Sequence, residues 1–196
     1  MNRKISPRTL ISIAVSAAIG FILMLFDFSL PIAPSFVKLD LSDVPALIIA
    51  FSIGPFAGVA VELVKNLLHL FTTTSMGVGE LSNFILGCFL TVPAGLIYKH
   101  NKTRKTALIA MLTGTFCMAL GGILTNLFIM FPFYTKVTGI PMETIIAMCQ
   151  KILPFVDNQV KVILLSVTPF NVLKGILISI VTYLLYKRLT PIIKGK

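Results

Sequence analysis

Between Thr168 and Gly175 the chain reads TPFNVLKG, which places an amide, Asn171, and an ammonium, Lys174, inside an apolar run that continues through Tyr186. In hydrocarbon such a charge costs about 2.5 to 3.5 kcal/mol even on the lenient insertion scale, so a lysine there lines a cavity, pairs with a carboxylate or binds something. In GVAVELVKNLLHLF, residues Glu62, Lys65, Asn66 and His69 fall at i, i+3, i+4 and i+7, on one face of a helix that cannot look at lipid. Glu80 and Asn83 follow in GVGELSNF, and Asn126 in GGILTNLF. Amides and a few charges on an apolar wall suit oriented binding of a small molecule with hydrogen-bonding edges. Glu62 and Lys65 fit equally a self-neutralising fastener between helices or a ligand contact. His69 has no second histidine or thiolate spaced to share a metal. The GxSG-type nucleophile motif, the HExxH pair and GxxxxGK[ST] are all missing, which disfavours hydrolase, metal and nucleotide chemistry.

The elements that must position these groups follow from composition. With 56% hydrophobic and 12% charged residues and a mean hydropathy of +0.95, the chain is an all-α integral membrane protein. Its 17 Lys and Arg against 7 Asp and Glu sit between long apolar runs, a pattern of membrane topology and not of nucleic-acid binding. Cys88, Cys117 and Cys149 lie far apart and form no disulfide framework. The basic N-terminal flank resembles a signal peptide, but the apolar run after it is too long, so it reads as a retained first helix.

A single membrane domain, 1–196, is predicted: six transmembrane helices in a compact bundle without internal repeat, at about 9–30, 44–53, 56–71, 79–98, 107–131 and 165–188. The second is short, about 15 Å at 1.5 Å per residue. Breaking the chain at Gly54-Pro55 puts eleven basic residues, in the groups 3–8, 99–105 and 187–196, on the side of the N-terminus and four, Lys38, Lys136, Lys151 and Lys161, on the other. That is the positive-inside arrangement, with both ends cytoplasmic. The loop 31–43 and the segment 132–160 then lie outside, the latter with an interfacial or re-entrant helix over Glu143 to Leu153. Lys65, Asn66, His69, Glu80, Asn83, Asn126, Asn171 and Lys174 share one depth, beneath a pocket open to the outside. Phe36, Phe133, Tyr134 and Phe170 offer flat contact to a planar heterocycle. Ala14 and Ala18 give the first helix a small-residue face that allows close approach of another helix. A channel is disfavoured by the lack of charge rings, and a self-sufficient secondary transporter by the lack of repeats.

At KLDLSDVPALI (38–48), GPFAGVAVELVKNLLHL (54–70), GVGELSNF (77–84) and PFNVLKG (169–175) the chain resembles the substrate-binding S-components of energy-coupling factor (ECF) vitamin transporters, in particular the riboflavin-specific ones. The resemblance covers nearly the whole chain. It implies a plasma-membrane subunit, not an enzyme, that captures riboflavin from outside as transported ligand, without cofactor, metal or catalytic residue. Carried over residue by residue, it implies ligand contacts at Leu39, Asp40, Leu41, Glu80, Asn126, Asn171 and Lys174. At Ala14 and Ala18 it implies docking to a transmembrane coupling subunit that works with two cytoplasmic ATPases. The chain has no Walker motif of its own. An S-component for another heterocyclic vitamin such as thiamine, and an intramembrane hydrolase using His69 with Glu62 or Glu80, are the rival readings.

Overall fold

The computed structural model describes residues 6–29 and 37–194. Ser6 caps the first helix, its hydroxyl accepting from the Thr9 amide at 3.2 Å, and Pro7 in the first turn needs no such partner. This helix, α1 (Pro7–Met24), stops well short of residue 30. Phe28–Ser29 instead forms strand β1, antiparallel to β2 (Lys38–Leu39), with Phe28 opposite Leu39. The reason lies in Asp27, whose carboxylate takes Lys38 at 2.9 Å across the hairpin, a half-buried ion pair that a continuing helix would pull apart.

Helices α2 (Asp43–Ser52) and α3 (Pro55–His69) are separate, because Gly54 between them has φ +148°, a region that side chains rarely enter, and Pro55 starts a new helix. All ten residues of α2 are buried, packed against α1, α3 and the helices that follow. Helix α3 is amphipathic in reverse: Glu62, Lys65, Asn66 and His69 are buried while Leu63, Val64, Leu67 and Leu68 are exposed. A 3-10 turn at Leu70–Thr72 and the left-handed Gly77 then lead into α4 (Val78–His100).

Helix α5 runs Arg104–Thr138 and helix α7 Gln159–Ile193. Both overrun the expected spans 107–131 and 165–188, so the supposed outer segment 132–160 is largely helical, with α6 (Met142–Gln150) between them. Pro132 and Pro169 lie inside these helices, and the structure shows how each is accommodated. A five-residue π turn, Asn126–Met130 in α5 and Ile163–Val167 in α7, ends two residues before each proline. The widened turn makes room for the ring, and in α5 the Leu127 carbonyl accepts a hydrogen bond from Gln159 Nε2 at 3.4 Å.

Seven helices are thus described where six spans and a short helix over 143–153 were expected; α6 falls at the last, and α1, α4, α5 and α7 are long and apolar enough to cross a membrane. The main core joins α2 to α4, α5 and α7 through Leu47, Phe51, Leu90, Met111, Met118 and Ile178, and Phe51 stacks on Tyr98 at 4.3 Å. A second core seats α6 on α5 and α7 through Phe131, Ile145, Cys149 and Val162. Contact between α4 and α5 is close at Gly114, where an added Cβ would lie 2.5 Å from the Leu90 carbonyl oxygen. Backbone there cannot yield without separating the helices. Gly114→Ala is therefore expected to destabilise the protein by about 1 to 3 kcal/mol. Thermal unfolding in detergent checks this, and an unchanged midpoint would contradict so close a contact.

Candidate ligand-binding site

The two π turns sit where the bundle opens. Beneath the hairpin, α4, α5 and α7 enclose a cavity with about 720 Å³ of empty space, open solvent at its mouth included. Asn83 and Leu86 reach it from α4, Asn126, Phe131 and Tyr134 from α5, and Phe170, Asn171 and Lys174 from α7. Val37 and Lys38 close it from the hairpin. Asn126 is the first residue of its π turn, and Phe170 to Lys174 form the first turns after theirs.

Hydrogen bonding orients the two amides. Asn126 Nδ2 donates to the Gly122 carbonyl at 2.8 Å, which leaves Oδ1 as the available acceptor. Asn171 Nδ2 is buried with no partner among the described residues, and it lies where a Cβ on Gly122 would come within 2.6 Å. Gly122 thus seats both amides, one by its carbonyl and one by its missing side chain. Gly122→Ala is expected to displace Asn171 and weaken ligand binding on the order of tenfold, the loss of about one good hydrogen bond. Gly121→Ala, which meets only the half-exposed Phe89 ring, serves as its control and is expected to retain affinity. A fluorescence titration of both variants checks the pair; equal affinities would remove Gly122 from the site.

Lys174 is not a bare cation. Its ammonium donates to Asp40 Oδ2 at 2.9 Å and lies 3.5 Å from Asp43 Oδ2. Asp40 also accepts from the Ser42 amide at 2.8 Å and, more weakly, from Asn83 Nδ2 at 3.5 Å. Burial alone would raise the Asp40 carboxyl, but the neighbouring Lys174 and Lys65 ammoniums and the Ser42 hydrogen bond outweigh it, holding the group down at about 2 against an ordinary 3.8. Behind it, Lys65 donates to Asp43 and to Ser42 Oγ, and lies 2.8 Å from Glu62 Oε2. Glu62 and Lys65 are accordingly partners of one another and of α2, away from the cavity wall.

Of the residues singled out from sequence, Asn83, Asn126, Asn171 and Lys174 come together around the cavity, with Tyr134 and Phe170 beside them. The others are placed differently. Glu80 does not line the cavity: its carboxylate accepts from His69 Nδ1 at 2.8 Å, Thr73 at 2.9 Å and Ser75 at 3.1 Å, fixing the strap before α4. Leu39, Asp40 and Leu41 border a separate apolar groove with Leu23, Phe28 and Leu177, and Asp40 meets the cavity through Lys174 and, more weakly, Asn83. Phe133 is partly exposed outside the lining, and Phe36 lies outside the described residues. Val37, Lys38, Met130 and Phe131 line the cavity without having been foreseen. Met and Phe in an apolar run carry no sequence signal, whereas the neighbours of KLDLSD could have been included with it. Ala14 and Ala18 are exposed on α1, while Ala17 and Gly20 turn inward.

A helical bundle with lipid-facing leucines, inward-facing charges and an apolar-walled cavity edged by amides defines a multi-pass membrane protein that binds a small solute. The chain belongs to the ECF transporter substrate-specific components, whose family description matches residues 8–186. Its relatives include the riboflavin transporter RibU of Staphylococcus aureus, 36% identical over 95% of this chain and 93% of that one. Another is the riboflavin transporter FmnP of Bacillus subtilis, 32% identical over 94% and 93%. A solved S component of a bacterial ECF transporter superposes with a TM-score of 0.73 at 34% identity, covering 95% of this chain and 97% of that chain. The fold extends to ThiT of Listeria monocytogenes, TM-score 0.56 at 18% identity over 91% and 95%. These are transport subunits and not enzymes, so the hydrolase reading of His69 with Glu62 or Glu80 is set aside.

Proposed function

We propose that this chain captures riboflavin in the cavity between α4, α5 and α7 and delivers it inward as part of an ATP-driven ECF assembly. The observation that carries this is the wall formed by Asn126, Asn171 and Lys174, which offers an acceptor, a donor and an ammonium beside two aromatic rings. The pyrimidine edge of a flavin alternates carbonyls with an N–H and is complementary to such a set. Identity of 36% and 32% to proteins named riboflavin transporters supports the same ligand. In this reading Asp40 acts through Lys174, Leu39 and Leu41 seat the hairpin, and Glu80 holds the strap at the cavity's edge.

The chain crosses the plasma membrane six times in this proposal, α2 and α3 as short crossings and both ends cytoplasmic, the arrangement favoured by eleven basic residues against four. Exposed Ala14 and Ala18 on α1 meet a transmembrane coupling subunit, which two cytoplasmic ATPases drive. The direct test is a visible spectrum of the protein purified in mild detergent, followed by titration against riboflavin fluorescence. A yellow preparation or stoichiometric quenching is expected. A colourless protein that ignores riboflavin and binds thiamine would overturn the ligand assignment.

A further inference from the structure

The cavity lysine is one member of a buried row of alternating charges: Asp40, Lys174, Asp43, Lys65 and Glu62, each adjacent to the next and all at most 5% exposed. The row crosses four elements, since Asp40 lies in the hairpin connection, Asp43 opens α2, Lys65 and Glu62 are on α3 and Lys174 is on α7. Lys65 never touches the cavity, yet it is wholly buried, donating to Asp43 and to Ser42 Oγ at 2.8 Å. Its stem passes close over Gly20 of α1, where a Cβ would sit 3.2 Å from Lys65 Cδ. This berth keeps the ammonium on Asp43.

We propose that Lys65 is a positioning residue for the ligand site: by neutralising Asp43 it holds the Lys174 ammonium on Asp40 and at the cavity wall. Lys174 has two carboxylates within reach, Asp40 at 2.9 Å and Asp43 at 3.5 Å. The closer one also meets Asn83, which lines the cavity, whereas the farther one opens α2, none of whose residues reaches the cavity. With Lys65 in place, Asp43 is already paired and exerts little net pull. Without it, Asp43 becomes an uncompensated charge in a dry interior, where Coulomb attraction is strong, and draws Lys174 off the wall. Other groups facing the row, Asn83 and Ser42, are neutral and cannot take over.

This rests on the reading that Lys174 contacts riboflavin, and the test separates the two. All variants carry Glu62→Gln, which touches Lys65 and not Lys174 and prevents an orphaned carboxylate at the end of the row. Riboflavin affinity is measured by fluorescence titration, with thermal unfolding of the empty protein alongside. Glu62→Gln alone is expected to bind within about threefold of wild type, and adding Lys65→Met to lose on the order of tenfold. Adding Asp43→Asn to that pair removes the competing charge and is expected to restore affinity to within about threefold. If Lys65→Met does not fold, Lys65→Gln, an uncharged donor, takes its place. Wild-type affinity without the lysine would overturn the proposal, and so would a loss that Asp43→Asn leaves unchanged, since that describes a merely structural lysine. Lys174→Ala is titrated in parallel: wild-type affinity there defeats the reading of the cavity, whereas weak binding there with no effect at Lys65 defeats only this inference.

Discussion

Lys174→Ala is expected to weaken riboflavin binding by about 10- to 150-fold, the 1.5 to 3 kcal/mol of a hydrogen bond to a charged group. The same change leaves Asp40 and Asp43 facing an empty position, with Asp40 keeping only the Ser42 amide and a long contact to Asn83. Breaking a buried pair by removing one partner costs about 3 to 5 kcal/mol, so the thermal midpoint is expected to fall as well. The sequence motivates the first expectation and not the second, because it allows Lys174 a carboxylate partner without naming one. Lys174→Ala combined with Asp40→Asn separates them: stability should largely return while affinity stays low. Should the double variant recover wild-type affinity, Lys174 would be a structural counter-ion and the ligand would be held by other groups.

The second large effect concerns uptake and not binding. Ala14 and Ala18 are exposed on the outer face of α1, and Ala17 and Gly20, which pack inward, are about a sixth to nearly half a turn away around the helix. A bulky residue at position 14 or 18 therefore meets nothing inside the bundle. Ala14→Phe or Ala18→Phe is expected to leave riboflavin affinity and the thermal midpoint unchanged, while transport by cells carrying the whole assembly falls at least about tenfold. A normal transport rate in both would move the docking face off this part of α1. Loss of binding in either would show that α1 supports the cavity and not the partner.

These expectations draw unequally on sequence and structure. Lys174 and Asn171 stood out in the sequence because a polar group in an apolar helix has few acceptable explanations. The inward face of α3 was legible for the same reason, through the spacing of Glu62, Lys65, Asn66 and His69. What lay beyond reach was pairing. Asp40 and Lys174 are 134 residues apart, and nothing local at either position names the other. Glu80 was read as a ligand contact because its segment matched a family motif, but a carboxylate that can take His69, Thr73 and Ser75 is satisfied by its own surroundings. The expected helix end at 131 failed at Pro132, where a proline is ordinarily a stop and a π turn beforehand makes it passable. Val37 and Lys38 line the cavity only because the hairpin folds back over the bundle, a closure that two residues of pairing on each strand do not announce in the sequence.

Helix α2 has no outward side at all: from Asp43 to Ser52 every residue is enclosed by protein. At ten residues it extends about 15 Å, half of the hydrocarbon thickness. Such a segment has neither the length nor the lipid contact to be recognised as a membrane span when it leaves the ribosome. Its insertion must then depend on its neighbours, above all α3, to which Gly54 and Pro55 join it as a tight hairpin and whose Lys65 meets its Asp43. Joined in this way, the two helices are suited to enter the bilayer as one unit with their charges matched. Biogenesis would then draw on the same contact that is proposed to hold the cavity lysine in place.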